Sequence, residues 1–250
     1  MFSDVGSAAG FIVLLLTGTL GTPANLSSAR SQVLLASTDK AQVFVGDLLA
    51  RMMAHRRWQD SALREYAAHR RFHAASHRFN IDSMLEVETK FLSPGPMQST
   101  VVRQEGSAFI REHVFDKILS TESELSSKDQ ADVIPENYQF SLLGSDTCEG
   151  RHCWHLSVKP RRNDKYLLDG EVWLDAEDYA ICRIHGTPSK HVSLWIPRAE
   201  VDWHFRRING IWLTDRIESS SDVRVIGTVL MQIQADYANV GVVTVAKNGL

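Results

Sequence analysis

Cysteine is scarce in this chain, with three residues in 250. That excludes a disulfide-stapled mini-protein, which needs several bridges to replace a small core. An excess of charge of one sign is also missing. Lys and Arg number 27 against 30 Asp and Glu, for a formal net charge of −3. No basic domain or stripe stands out of the kind that nucleic-acid binders use to neutralise phosphates. Long apolar runs are lacking too: Phe11 to Leu20 would span roughly 15 Å as a helix, about half a bilayer core. The common catalytic signatures G-x-S-x-G, H-E-x-x-H, G-x-x-x-x-G-K-[ST] and G-x-G-x-x-G do not occur, which removes the direct arguments for an enzyme. What is present is the composition of an ordinary globule, 44% hydrophobic and 23% charged, enough to bury a core.

The N-terminus differs from that average. From Phe2 to Ala29 the one charged side chain is Asp4. Phe11 to Leu20 has the length of a secretory h-region. Gly18, Gly21 and Pro23 then break the run, and Ser27-Ser28-Ala29 has the small-x-small spacing of a cleavage site before Arg30. The n-region carries no Lys or Arg, so a buried apolar helix or an uncleaved anchor stands as the alternative to export. The expected organisation is a cleaved signal peptide over 1–29, a polar lead-in over 30–40, one domain over 41–240 and a tail over 241–250. No cysteine stands between the h-region and Arg30, so a lipid-modified N-terminus is not expected.

From Ala41 to Arg57, Val45, Leu48, Leu49, Met52 and Met53 fall on one helical stripe, with Asp47 and Arg51 as an i,i+4 pair. After Asp60 the period drops to two. Tyr66, Ala68, Phe72 and Ala74 alternate with Ala67, His69, Arg71 and His73, and a second alternating run follows from Phe79 to Phe91. A strand over Gln98 to Gln104, a helix over Phe109 to Glu124 and a mobile polar stretch over Ser120 to Asp132 come next. From Tyr138 onward, alternating segments recur about every ten residues, separated by turns at Glu149-Gly150, Ala176-Glu177-Asp178 and Asn209-Gly210. This predicts an α+β fold: an antiparallel meander with one apolar face, covered by the two helical segments.

Three groups of residues could carry chemistry. His69, His73 and His77 sit four apart; on a strand that is about 13 Å, too far for one metal ion, and a solvated basic edge shared with Arg70 and Arg71 is the expectation. Cys148, His152, Cys153 and His155 surround a turn. Two Cys and two His could hold zinc, but the spacing matches no familiar pattern, and His152 and Cys153 would face opposite ways. A Cys148–Cys153 disulfide, if the Cα atoms lie within about 6.8 Å, and free thiols are both open, with no metal expected and Cys182 left unpaired and buried. The acids Asp175, Glu177 and Asp178, or Glu86 and Glu88, could serve a glycosidase only if two faced each other across a cleft about 5–10 Å wide; solvated turn and strand positions are the expectation. What remains is the apolar face. Tyr66, Phe72, Leu85, Val87, Phe91, Val172, Leu174, Val201, Trp203, Phe205, Met231 and Ile233 are its candidate ligand-binding residues, should two helices leave the sheet incompletely filled.

The stretch Gly170-Glu171-Val172-Trp173-Leu174-Asp175-Ala176-Glu177-Asp178-Tyr179-Ala180-Ile181-Cys182-Arg183-Ile184-His185-Gly186-Thr187-Pro188, together with Lys165 to Asp169, Glu112 to Leu119 and Trp212-Leu213-Thr214-Asp215, resembles bacterial outer-membrane lipoprotein-sorting proteins of the LolA/LolB-like group. The resemblance runs from about Asp47 to Tyr237. It implies a half-barrel, a curved antiparallel sheet wrapped around helices, with an apolar cavity that holds acyl chains. It implies no catalytic residue and no cofactor. The group's lid-fastening arginine maps onto no position here by motif, so no binding residue is carried over. The resulting expectation is a periplasmic, non-enzymatic carrier. Its partners would be lipoprotein acyl chains or lipid, with transient membrane contact, envelope proteins as a further class and no nucleic acid. A protein-interaction or sensor module on the same scaffold is the alternative, and an envelope hydrolase a third reading.

Overall fold

The structure, a computed structural model, describes residues 35–76, 78, 80–125, 131–190, 198–224 and 227–243. The signal-peptide reading of 1–29, His77, Phe79 and most of the 241–250 tail lie outside the described residues. Ten strands form one sheet: β1 Leu63–Ser76, β2 Ile81–Leu92, β3 Gln98–Glu105, β4 Tyr138–Cys148, β5 Arg151–Pro160, β6 Leu168–Asp175, β7 Ile181–Pro188, β8 Arg198–Ile208, β9 Ile211–Val223 and β10 Gly227–Val242. The order across the sheet is β3-β2-β1-β10-β9-β8-β7-β6-β5-β4, and every pairing is antiparallel. The fold is therefore α+β, as the alternation predicts.

Chain order matches spatial order except twice. β1 pairs with β10, joining the first three strands to the last seven, and β3 and β4 lie on opposite edges. The connection from β3 to β4 must therefore cross the sheet. It does so as helix α2 (Ala108–Ile110), a π turn (Arg111–Phe115) and helix α3 (Asp116–Leu125), which bury Ile110, Phe115 and Ile118. The edges do not meet, so the sheet is an open half-barrel. Bulges opposite Glu86/Val87, Trp173/Leu174 and His204/Phe205 add the local twist that curvature needs. Edge strand β3 is exposed along its whole length and carries Arg103 and Glu105, charges that discourage edge-to-edge pairing.

Helix α1 covers Leu35–Ala62, longer than the Ala41–Arg57 stripe and extending into the predicted lead-in. The buried line Val45, Leu48, Met52, His55, Gln59 follows the 3.6 period but turns polar at its C-terminal end, where apolar periodicity no longer reports it. Gln59 fastens that end to the sheet. Its Nε2 donates to the Trp212 carbonyl at 3.1 Å, and the Trp212 N–H donates to its Oε1 at 2.8 Å. The helix runs into β1 without a loop, and the Val243 N–H satisfies the Ala62 carbonyl at 2.9 Å. At the predicted hairpins, Glu149 and Gly150 (φ 50° and 76°) and Asn209 and Gly210 (φ 51° and 85°) both lie in the left-handed region, as two-residue type I′ turns require.

Candidate functional site

All twelve predicted lining residues are buried on the sheet face that the helices cover. They do not form one surface. Phe72, Leu85, Val87, Val172, Leu174, Val201, Trp203, Phe205, Met231 and Ile233 belong to the main core with Ile110, Phe115 and Ile118. Tyr66 and Phe91 belong to a second cluster with Ala62, Leu63, Ala68, Ile211 and Leu213. Arg70 divides the two. It falls at the inward parity of β1, between Ala68 and Phe72, and its side chain is 12% exposed. This corrects the expectation that it lies with Arg71 on a solvated edge.

The Arg70 guanidinium donates to both Glu122 oxygens of α3 at 2.6 and 2.8 Å, to Thr89 Oγ1 at 2.9 Å and to Ser99 Oγ at 3.2 Å. Burial opposes its charge, but Glu122 outweighs that and raises its pKa further. Glu122 and Thr121 are themselves buried, so the part of the predicted mobile stretch that they occupy is packed. A bidentate, desolvated ion pair thus ties the crossing helix to the inner face of β1, two strands from the β3 edge. A second pair under α1, Arg56 with Asp132, is also largely buried. Beside it, Met52, His55, Gln59, Val133, Ala180 and Ile181 line a void of about 30 Å³, room for about one water against the roughly 300–1,000 Å³ of a ligand pocket.

The acidic turn after β6 is not a solvated loop. Asp175 and Asp178 are buried. Asp175 Oδ1 accepts the N–H groups of Glu177 (3.0 Å) and Asp178 (3.2 Å) and a 3.0 Å hydrogen bond from Arg151, whose guanidinium also pairs with Glu177 at 2.6 Å. Asp178 Oδ2 accepts the Trp212 indole N–H at 3.0 Å. Burial alone would raise the Asp175 pKa, yet Arg151 and the two N–H groups hold it below the ordinary carboxylate range. A carboxylate kept ionised in this way is no general acid; it is the fastening of a turn.

The opposite, outer face carries histidines each beside a carboxylate: His69 with Glu88 (2.9 Å), His73 with Asp82 (2.9 Å), His155 with Glu171 (2.8 Å), His185 with Glu200 (3.1 Å) and His204 with Glu149 (2.9 Å). His69 and His73 thus have separate partners, as their strand spacing requires. An open groove of about 520 Å³ lies on this face, bordered by His73, His185, Glu200, Asp202, Glu218 and Leu230 among others.

The cysteines also lie on the outer face. Trp154 and Leu156 point to the core with Leu174 and Val172, so Cys153 and His155 point outward; His155 stacks on Trp173 with ring centroids 4.4 Å apart. All three thiols are free and buried, and the disulfide expectation fails on register. Cys148 pairs with Arg151 and Cys153 with Asp146, making the two cysteines diagonal neighbours about 7–8 Å apart, beyond the usual disulfide span of about 4.4–6.8 Å between Cα atoms. Cys182 does not stand apart: its sulfur is 3.3 Å from that of Cys153. His152 is exposed and does not join them.

No family model matches the chain, and no curated protein does. In fold the chain is similar to a number of solved structures, three of which illustrate the likeness. One is a domain described as an outer membrane lipoprotein-sorting protein from Vibrio parahaemolyticus (12% identity, 80% of this chain and 92% of that one, TM-score 0.39). A second is a DUF1329 family protein from Desulfovibrio piger (13%, 82% and 92%, TM-score 0.41). The third is a LolA superfamily protein from Nitrosomonas europaea (7%, 80% and 94%, TM-score 0.35). Among the described residues no helix is long and apolar enough to cross a membrane.

Proposed function

We propose that this is an exported, non-enzymatic envelope protein that shelters acyl chains of lipoproteins or lipids between its sheet and its helical cover. One observation carries the reading: the cover α2–α3 is a crossover whose ends attach to opposite sheet edges and whose inner side is apolar. Such a segment can rise from the sheet without breaking a strand pairing. In the closed form, Ile110, Phe115 and Ile118 pack with ten of the twelve lining residues; on opening, an acyl chain takes their place and gains about 0.8 kcal/mol per CH₂. Native mass spectrometry of protein purified from the periplasm tests this. A retained lipid, displaced by a fluorescent fatty acid, is the expected result. Protein that carries no lipid and takes up no fatty acid overturns it. The filled inner face favours a second reading, an envelope protein-interaction module that uses the closed form, and a lipid-free protein that captures a defined partner would establish it.

A further inference from the structure

We propose that Cys148, Cys153 and Cys182 together bind one thiophilic, low-coordinate cation, with Cu(I) the best match. The inference is independent of the acyl-chain reading. The three sulfurs lie within 4.8 Å of one another and all three residues are buried. They come from three strands: the last residue of β4, the outer face of β5 and a bulge in β7 where Trp173 pairs with Arg183 and Leu174 with Ile181, leaving Cys182 as the extra residue. The bulge turns Cys182 over β6, which separates its strand from β5.

The chemistry follows from the spacing. Cys153 and Cys182 stand two strands apart in the sheet, and Cys148 and Cys153 are diagonal neighbours at about 7–8 Å. The nearest two sulfurs, those of Cys153 and Cys182, are 3.3 Å apart and not bonded. Sulfurs that converge while their backbones stay apart suit an ion placed between them: at a metal–sulfur bond of roughly 2.3 Å, a planar trigonal site sets its sulfurs about 4.0 Å apart. Among the described residues no His, Asp or Glu completes the group as a fourth ligand. Zinc in a closed site takes four ligands, whereas three thiolates are a complete set for Cu(I), the soft cation that thiolates select.

One guanidinium lies near the sulfurs. Each thiol that enters as thiolate releases its proton to solvent, and the Arg183 guanidinium interacts electrostatically with Cys148 and Glu149. Cys148, at 5% exposure against 0% and 1% for the others, is the route in.

The test uses the full chain, reduced and kept free of oxygen, titrated with Cu(I) buffered by a bathocuproine chelator. The expected result is one Cu(I) per chain, a thiolate-to-copper ultraviolet band, and protection of all three cysteines from iodoacetamide in the unaltered protein. Cys148→Ser, Cys153→Ser and Cys182→Ser each lower retention at least about tenfold, while His152→Ala leaves it unchanged. Failure to take copper from the chelator, copper bound without protecting all three thiols, or a Cys148–Cys153 disulfide in the isolated protein overturns the proposal, and none of these requires a variant to fold.

Discussion

Replacing Glu122 with Ala isolates the tie between cover and sheet. Arg70 keeps its place between Ala68 and Phe72, 12% exposed, but loses the two charge-assisted bonds of 2.6 and 2.8 Å. Its remaining partners, Thr89 and Ser99, are neutral hydroxyls. Removing one member of a buried pair costs about 3–5 kcal/mol, because the other charge stays behind uncompensated. Thr89→Val removes one hydrogen bond to the same charged group and is expected to cost about 1.5–3 kcal/mol. Replacing Arg70 and Glu122 together by Met and Leu removes both charges of the pair and is expected to be neutral or stabilising by about 1–4 kcal/mol. Urea unfolding followed by tryptophan fluorescence and by circular dichroism measures all three. A loss below about 1 kcal/mol in Glu122→Ala, the range of an exposed pair, would refute the reasoning. So would a double variant that is less stable than either single one.

Two further predictions rest on the same frame. Gly170 pairs with Gly186, and a Cβ at 170 would sit 2.0 Å from the His185 carbonyl oxygen. Gly170→Ala is expected to lower stability by at least about 1–3 kcal/mol through forced backbone shifts, and an unchanged melting temperature would show that β6 and β7 are farther apart than described. On acidification, Asp175 and Asp202 both lose stabilising contacts. Burial would raise the Asp202 pKa, but His204 and Arg183 hold it well below the ordinary range, and Asp175 is depressed as well. Groups with depressed folded pKa values stabilise the fold above the unfolded value near about 3.9 and lose that contribution as pH falls through the folded value. The steep loss from these two groups therefore lies below about pH 4, and Asp202→Asn should flatten that limb of the melting-temperature profile; an unaltered limb counts against the assignment.

The sheet was legible because burial on one face writes itself as period two. The alternation around Phe72, the Asn209-Gly210 turn and the one-sided runs of β8 and β10 all appear where the sequence puts them. The buried apolar positions of the inner face were legible, and the buried polar ones were hidden. Arg70 shares parity with Tyr66, Ala68, Phe72 and Ala74, and parity was the signal that could have found it; its charge pointed the other way, and its partner Glu122 sits 52 residues on. Gln59, Asp175 and Asp178 were obscured for the same reason: a polar side chain that satisfies buried N–H or indole groups carries no apolar periodicity. Cys182 needed the bulge, which moves a residue out of simple alternation and leaves no local mark in composition.

The buried ion pair also bears on what the inner face can admit. A ligand sliding beneath α2–α3 keeps Ile110, Phe115 and Ile118 in apolar contact, now with the ligand in place of the sheet, so those side chains lose little. Arg70 and Glu122 lose each other in a space that stays dry, at a cost of about 3–5 kcal/mol. At about 0.8 kcal/mol per buried CH₂, four to six methylenes offset that, while a chain of about fourteen contributes about 11 kcal/mol. On the acyl-chain function proposed above, the pair would set a threshold that small apolar solutes fail and long acyl chains clear. It follows that Glu122→Ala acts with opposite signs in two assays: it weakens folding, and it lowers the shortest fatty acid that binds. A residue with a purely structural role would weaken both, so chain-length dependence of uptake in that variant separates a fastener of the cover from an ordinary part of the core.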